Sequence, residues 1–256
     1  MFVSVTQCQS FIAKFGIPWE RTIVLRNAVD PIVANVDTKE PYKEGDPINF
    51  IYHTTPHRGL ALLVPVIARL AEKHPEIHLD VYSSFKLYGW DDRDKAFEPL
   101  YDQIREHDNM EYHGMVDNAT VREALTKADI FAYPCTWTET SCISLLEAMS
   151  AGLICVHPDN GALFETASNW TFMYHFMQDN NAHASHHYQM LNNMIDMIKE
   201  NNEAISMKRR GMKTFTDIQY NWEVRTHEWK GFLKSIEKLP TEIEEESEEM
   251  FSYKVG

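Results

Sequence analysis

From about residue 48 the chain alternates short apolar runs with longer amphipathic stretches, and this beat restricts the fold more than any other feature of its 256 residues. Asn49-Phe50-Ile51-Tyr52-His53 is apolar and too short for a helix, so it reads as a buried strand. Residues 60–72 then carry apolar side chains at helical spacing, and residues 78–83 form a second strand ending in polar residues. The cycle repeats with helix 96–106, short strand 110–113, helix 119–127 behind the capping candidates Asp117-Asn118, strand 130–133, a helix over 144–149 closed by Gly152, and strand 153–156. Such alternation implies parallel strands joined by right-handed crossovers. The predicted fold class is therefore α/β, a doubly wound, Rossmann-like parallel sheet with its cleft at the strands' carboxyl ends. After Gly161 the pattern predicts helices at 187–200, 203–216 and 222–236, with no internal repeat.

The segment Thr138-Glu139-Thr140-Ser141-Cys142-Ile143-Ser144-Leu145-Leu146-Glu147 lies where the strand ending at Tyr133-Pro134 passes into a helix. Amide N–H groups at a helix start are unpaired and carry the positive end of the helix dipole, so they suit a phosphate or a polarised sugar oxygen. Glu139 reaches a ligand from the loop. Glu147 lies a little over two turns further on at about 3.6 residues per turn, at another depth of the same cleft. Two carboxylates can thus address two ends of one ligand.

These residues resemble the E-x7-E signature of retaining GT-B glycosyltransferases of the group 1 family. Tyr133-Pro134 upstream, Leu146-Glu147-Ala148-Met149 with Gly152, and Gly161-Ala162-Leu163-Phe164-Glu165-Thr166 downstream fit the same pattern in order. The resemblance covers about residues 1–236 and implies the C-terminal, donor-binding half of the fold, with the N-terminal acceptor domain expected to be missing. It implies transfer of a sugar from a nucleoside-diphosphate donor with retention at the anomeric carbon. Glu139 would then contact the donor sugar, and Glu147 the ribose hydroxyls. Thr140, Ser141, Cys142 and Ile143 would hold phosphate or sugar oxygens. An ionised carboxylate accepts two hydroxyl hydrogen bonds and stabilises nearby positive charge, which suits both glutamates. No cofactor is implied beyond the donor substrate, and no metal.

Two further loops complete the expected site. Thr54-Thr55-Pro56-His57-Arg58-Gly59 offers a forked cation and a glycine at a helix start, which suit a diphosphate leaving group. In the resembled family a basic pair lies here; Arg58 matches its second position and His53 falls at its first. Histidine is at best partly charged near pH 7, and His53 reads equally as a packed strand-end residue. In His113-Gly114-Met115-Val116-Asp117, the resemblance implies that Met115 and Val116 cradle the nucleotide base. Asn27-Ala28 stands where the family commonly has Asn-Gly.

A net charge of −14 argues against a broad nucleic-acid surface, so any phosphate must meet a local basic site. Cys8, Cys135, Cys142 and Cys155 show no C-x-x-C spacing and read as buried reduced thiols, favouring a cytoplasmic protein. There is no apolar run long enough for a transmembrane segment and no secretory leader pattern. Asp92-Arg93-Asp94 imitates a metal-binding D-x-D without the strand context, and His183, His186 and His187 read as a solvated cluster in a polar loop. Trp222, Trp229, Phe232 and Leu233 form a stripe most simply assigned to core packing. The expected organisation is a segment over 1–47 (helix 4–15, strand 22–26, then a polar linker over 38–47), a donor domain with C-terminal helices over 48–238, and an acidic disordered tail over 239–256. Expected partners are the nucleotide sugar, an unknown acceptor, and either a separate acceptor-domain chain or a second copy of this one. The competing class of answer is a non-catalytic nucleotide-sugar-binding or interaction module.

Overall fold

The computed structural model describes residues 1–34, 36 and 40–237; the acidic segment over 239–256 lies outside the described residues. Six strands, β1 (Ile48–Tyr52), β2 (Ile77–Val81), β3 (Met110–Tyr112), β4 (Ile130–Ala132), β5 (Ile154–Pro158) and β6 (Phe172–Tyr174), form one parallel sheet in the order β3-β2-β1-β4-β5-β6. The helices are α1 (Val5–Phe15), α2 (Leu60–Lys73), α3 (Asp91–Asp94), α4 (Glu98–Arg105), α5 (Asn118–Lys127), α6 (Ile143–Ser150), α7 (Leu163–Ala167), α8 (Asn180–Lys199), α9 (Glu203–Gln219) and α10 (Trp222–Ile236). Helix α2 packs on α4 and α8, whereas α6 packs on α5, α7 and α9, so two helical layers enclose the sheet as the alternation predicts.

The strands form from runs with no solvent-facing side. Phe50, Ile51 and Tyr52 of β1, Phe131 of β4 and Val156 of β5 are all at most 1% exposed. Burying each such large apolar side chain contributes about 1.5–3 kcal/mol. Helix starts are set by local chemistry: Asp117 accepts from the Thr120 amide at 2.8 Å, as its position predicts, and Asp179 caps α8 through the Ala182 amide. The strand order reverses between β1 and β4, so their carboxyl ends open a crevice, the place where ligands bind in open α/β sheets.

Several expectations need correction. The helix expected over 96–106 is two helices, because Pro99 in the first turn of α4 favours a fresh start there. The strand expected over 22–26 is reduced to one bridge between Phe2 and Val24. The region after Gly161 is not purely helical, since Phe172-Met173-Tyr174 adds an edge strand. His183 and His187 are not in a solvated loop. They lie one turn apart inside α8 and are 1% and 0% exposed, because the Asp179 cap starts the helix at Asn180 rather than at 187. The α10 stripe is not core either: Trp222 and Leu233 are about half exposed, and Trp229 and Phe232 are half-buried.

Candidate functional site

The crevice between β1 and β4 gathers most of the residues singled out by sequence. On the β1 side, Tyr52 donates its hydroxyl to the Thr55 carbonyl at 2.9 Å and shapes the turn that delivers Arg58. On the β4 side, Tyr133, Cys135 and Glu139 fold back beneath that turn. Ser144 of α6 ties the two sides together by donating to the His53 carbonyl at 3.0 Å.

Glu139 and Arg58 are brought into direct contact. The Arg58 Nη1 donates to Glu139 Oε1, the Tyr133 hydroxyl donates to the same oxygen, and Arg58 Nε donates to Thr55 Oγ1 at 3.1 Å. Glu139 is 5% exposed, so an ionised carboxylate here needs these donors. Burial works to lower the Arg58 pKa, but the charge of Glu139 and its hydrogen bond dominate and raise it. Burial above all pushes the Tyr133 hydroxyl well up, so it stays a donor, and burial with the Glu139 charge pushes the Cys135 thiol up to about 12. The loop carrying Glu139 is fixed by Gly161, which pairs with it as an isolated bridge. A Cβ on Gly161 would fall 2.4 Å from the Glu139 carbonyl oxygen.

Gly59 departs from its expected use. Its φ is 122°, and a Cβ there would lie 2.2 Å from the Pro134 carbonyl oxygen. The glycine therefore lets the β1 turn pass over the β4 loop, and its bareness serves protein packing rather than approach of a phosphate.

Glu147 sits deeper, on α6, in a cavity of about 280 Å³ that His53, Met115, Val116 and Ile143 also line, with Tyr82 and Tyr88. Its Oε1 accepts from Asn118 Nδ2 at 3.1 Å, and Oε2 lies 3.7 Å from His53 Nε2, an electrostatic contact too long for a hydrogen bond. Burial alone would raise the Glu147 pKa; His53 and Asn118 outweigh it, and the net direction is down. The carboxylate is thus held ionised at the floor of the cavity. Both His53 ring nitrogens are buried without a hydrogen-bond partner.

The start of α6 separates the two glutamates. Cys142 is its N-cap, its sulfur accepting from the Leu145 amide at 3.4 Å, and Ser141 Oγ accepts from Asn27 Nδ2 at 3.0 Å. Thr140 is exposed on the loop and Ile143 about half exposed at the cavity rim. Asn118, Tyr133, Tyr82 and Gly161 are site-building residues that sequence reasoning assigned no such part. For Gly161 the signal was present, in its place downstream of the paired glutamates.

Asp92-Arg93-Asp94 is not assembled as a ligand site. Asp94 is buried and accepts from the Ser84 and Tyr101 hydroxyls and the Phe85 amide, whereas Asp92 pairs with Lys95 in solvent. All four cysteines are buried and unpaired, and among the described residues no helix is long and apolar enough to cross a membrane.

The family model described as glycosyl transferases group 1 matches residues 36–211, well over half the chain. The chain belongs to this family. Curated relatives of this glycosyl transferase include one component of the phosphatidylinositol N-acetylglucosaminyltransferase of Arabidopsis thaliana, 26% identical over 163 residues, covering 64% of this chain and 35% of the relative. Phosphatidyl-myo-inositol mannosyltransferase of Mycolicibacterium smegmatis is 28% identical over 118 residues, covering 46% of the chain and 28% of the relative. The match thus spans about a third of each relative's length. Among solved structures, the pneumococcal O-GlcNAc transferase GtfA in complex with UDP and GlcNAc superposes with a TM-score of 0.68 at 12% identity, covering 93% of this chain and 45% of that one. Anabaena Alr3699/HepE in complex with UDP and glucose gives 0.65 at 14% identity, covering 89% and 60%. These likenesses establish the GT-B glycosyltransferase fold.

Proposed function

We propose that this glycosyl transferase domain binds a nucleoside-diphosphate sugar and supports its retaining, metal-independent transfer to an acceptor. The observation that carries the reading is the division of labour between the two glutamates. Glu147 is ionised at the floor of a nucleoside-sized cavity, and Glu139 lies beside a permanent cation at the other end of the α6 start. A ribose would give its hydroxyl protons to Glu147, with the base between Tyr82, Met115 and Val116. The diphosphate would lie across the α6 amides toward Arg58.

In the reaction the bond from the sugar's anomeric carbon to the diphosphate oxygen breaks, and the electron pair leaves with the diphosphate. Arg58 and the helix-start amides offset that negative charge, and Glu139 stabilises the cationic sugar. The acceptor oxygen then bonds to the anomeric carbon from the same face, its proton passing to the departing phosphate. Positioning and electrostatic stabilisation supply the acceleration, and no protein base is required. The relatives are about three times as long as the matched region, which supports an acceptor side supplied by further chain or by a partner protein. The UDP held by structural neighbours makes UDP and UDP-sugars the first ligands to try.

The engagement of Arg58 by Glu139, with His53 at the other basic position, favours a second reading, a binding module without turnover. Calorimetric titration with UDP, GDP, ADP and their glucose or mannose conjugates, repeated with Glu147→Gln, tests the first step. Micromolar binding of one nucleotide, weakened at least about tenfold in the variant, is the expected result. A folded chain that binds none of them refutes the donor site. Binding without donor hydrolysis or transfer, when acceptor fractions and partner chains are supplied, selects the module.

A further inference from the structure

A separate group of ligating side chains lies on the outer part of the sheet. In the parallel pair of β2 and β3, Asp80 stands opposite Glu111. Side chains alternate along a strand, so His78 and Asp80 share a face with Glu111 and with His113, one residue past the end of β3. The result is a two-by-two array of imidazoles and carboxylates. His78 Nε2 lies 3.9 Å from Asp80 Oδ1, His113 Nε2 lies 2.7 Å from the same oxygen, and His113 Nδ1 is 3.8 Å from Glu111 Oε1. Ligand atoms of His78, Asp80 and Glu111 all fall within 4.8 Å of one another.

We propose that His78, Asp80 and Glu111 form a divalent metal site of the Zn²⁺ class, with His113 holding Asp80 in place. Ligand atoms around a four-coordinate zinc with bonds of 2.0–2.2 Å are about 3.3 Å apart, so the trio closes onto an ion by side-chain rotation without backbone movement. One imidazole and two carboxylates suit zinc better than calcium, which takes six to eight oxygens. His113 supplies the outer support such sites use: its ring stacks on Tyr82 at 4.3 Å with 7° between planes, and its Nε2 meets the Asp80 carboxylate. All three ligands stay open to solvent, at 34%, 29% and 63% side-chain exposure for His78, Asp80 and Glu111, so an ion can enter and single substitutions leave the core intact. An ion here clamps edge strand β3 to β2.

The test uses the full chain, freed of metal by chelator and titrated calorimetrically with ZnCl₂, MnCl₂ and CaCl₂. Wild type is compared with His78→Ala, Glu111→Gln and His113→Ala, each verified as folded by far-ultraviolet circular dichroism. The expected result is one equivalent of Zn²⁺ at micromolar affinity, weakened more than about tenfold in His78→Ala and Glu111→Gln and about tenfold in His113→Ala. Calcium gives no matching isotherm, and zinc raises the melting temperature of wild type but not of His78→Ala. Absence of stoichiometric zinc binding overturns the proposal. So does an isotherm that His78→Ala and Glu111→Gln leave unchanged, since the ion would then sit elsewhere. Neither outcome depends on whether the chain binds a nucleotide.

Discussion

Gly161 and Gly16 share a φ of 62°, yet only Gly161 touches the candidate site, and this makes a controlled experiment. Alanine at either position must adopt a left-handed conformation, at a cost of about 1–2 kcal/mol. At Gly16, which ends α1, the new Cβ meets nothing within 4 Å. At Gly161 it would fall 2.4 Å from the Glu139 carbonyl oxygen, 2.6 Å from the Glu139 amide nitrogen and 3.1 Å from the Thr138 carbonyl carbon. All three are backbone atoms, so no side chain can swing aside, and the Glu139 segment must retreat by about 1 Å for the contacts to become ordinary. That retreat breaks the 2.8 Å hydrogen bond from the Ala162 amide to the Glu139 carbonyl and loosens the Arg58 contact.

A lost hydrogen bond of about 1 kcal/mol and a poorly compensated buried carboxylate of about 1–3 kcal/mol bring Gly161→Ala to roughly 3–5 kcal/mol in all. For a chain of this size each kcal/mol moves the midpoint by about 2–4 °C, so Gly16→Ala should melt within ~6 °C of wild type and Gly161→Ala roughly 8–15 °C below it. Thermal and urea unfolding followed by far-ultraviolet circular dichroism measure both. Equal losses in the two variants would refute the reasoning, because left-handed strain alone would then account for both and Gly161 would not fix the Glu139 loop.

Three further outcomes follow from the same geometry. Arg58→Met strands the Glu139 carboxylate and should cost about 1–3 kcal/mol by urea unfolding, below the value for a fully buried pair because Arg58 is partly exposed; adding Glu139→Gln should recover most of it, and additive losses would rule out the coupling. The Glu147 pKa lies below its unfolded value, so its contribution is present above that unfolded value and lost as pH falls through the folded one; Glu147→Gln should flatten the drop in urea midpoint between pH 6 and about 3. His157, fully buried with its pKa driven down to about 4, and His187, lowered by burial and by its histidine neighbours, stay neutral while the unfolded chain takes up protons. Stability should therefore fall as pH drops from about 7 toward 4, and His187→Phe should remove part of that fall; an unchanged pH profile would exclude neutral burial.

The parts of this fold legible in sequence are those where local pattern and tertiary environment agree. Asn49 to His53 and Ile130 to Tyr133 announce buried strands because parallel strands covered on both faces need unbroken apolar runs. Asp117 announces the start of α5 because its side chain caps the adjacent amide. Strand β6 was not legible, because three residues carry too little period to separate a strand from a helix. The α8 histidines were misplaced for a different reason. A polar side chain reads as solvated unless its partners are known, and those of His183 come from outside its helix, the Tyr174 hydroxyl at 3.2 Å and the Met177 amide at 3.4 Å. The site shows the same division: the paired glutamates and Arg58 stood out by type and spacing, but their pairing with one another depends on how the β1 turn crosses the β4 loop over Gly59.

That crossing bears on whether Arg58 can serve a ligand while it serves Glu139. A guanidinium carries five N–H donors in a fixed fork. Nε is directed to Thr55 and Nη1 to Glu139, so the Nη2 end remains to address a phosphate without releasing the carboxylate. An incoming diphosphate then adds negative charge to a cation already held by one, and the field between Arg58 and Glu139 aligns with the charge separation of a breaking bond between sugar and phosphate. Lysine, a point charge, could retain the link to Glu139 but not bridge both groups in one plane. The same pairing that resembles an occupied, unavailable arginine is therefore compatible with a preset one, held at low conformational cost before the donor arrives.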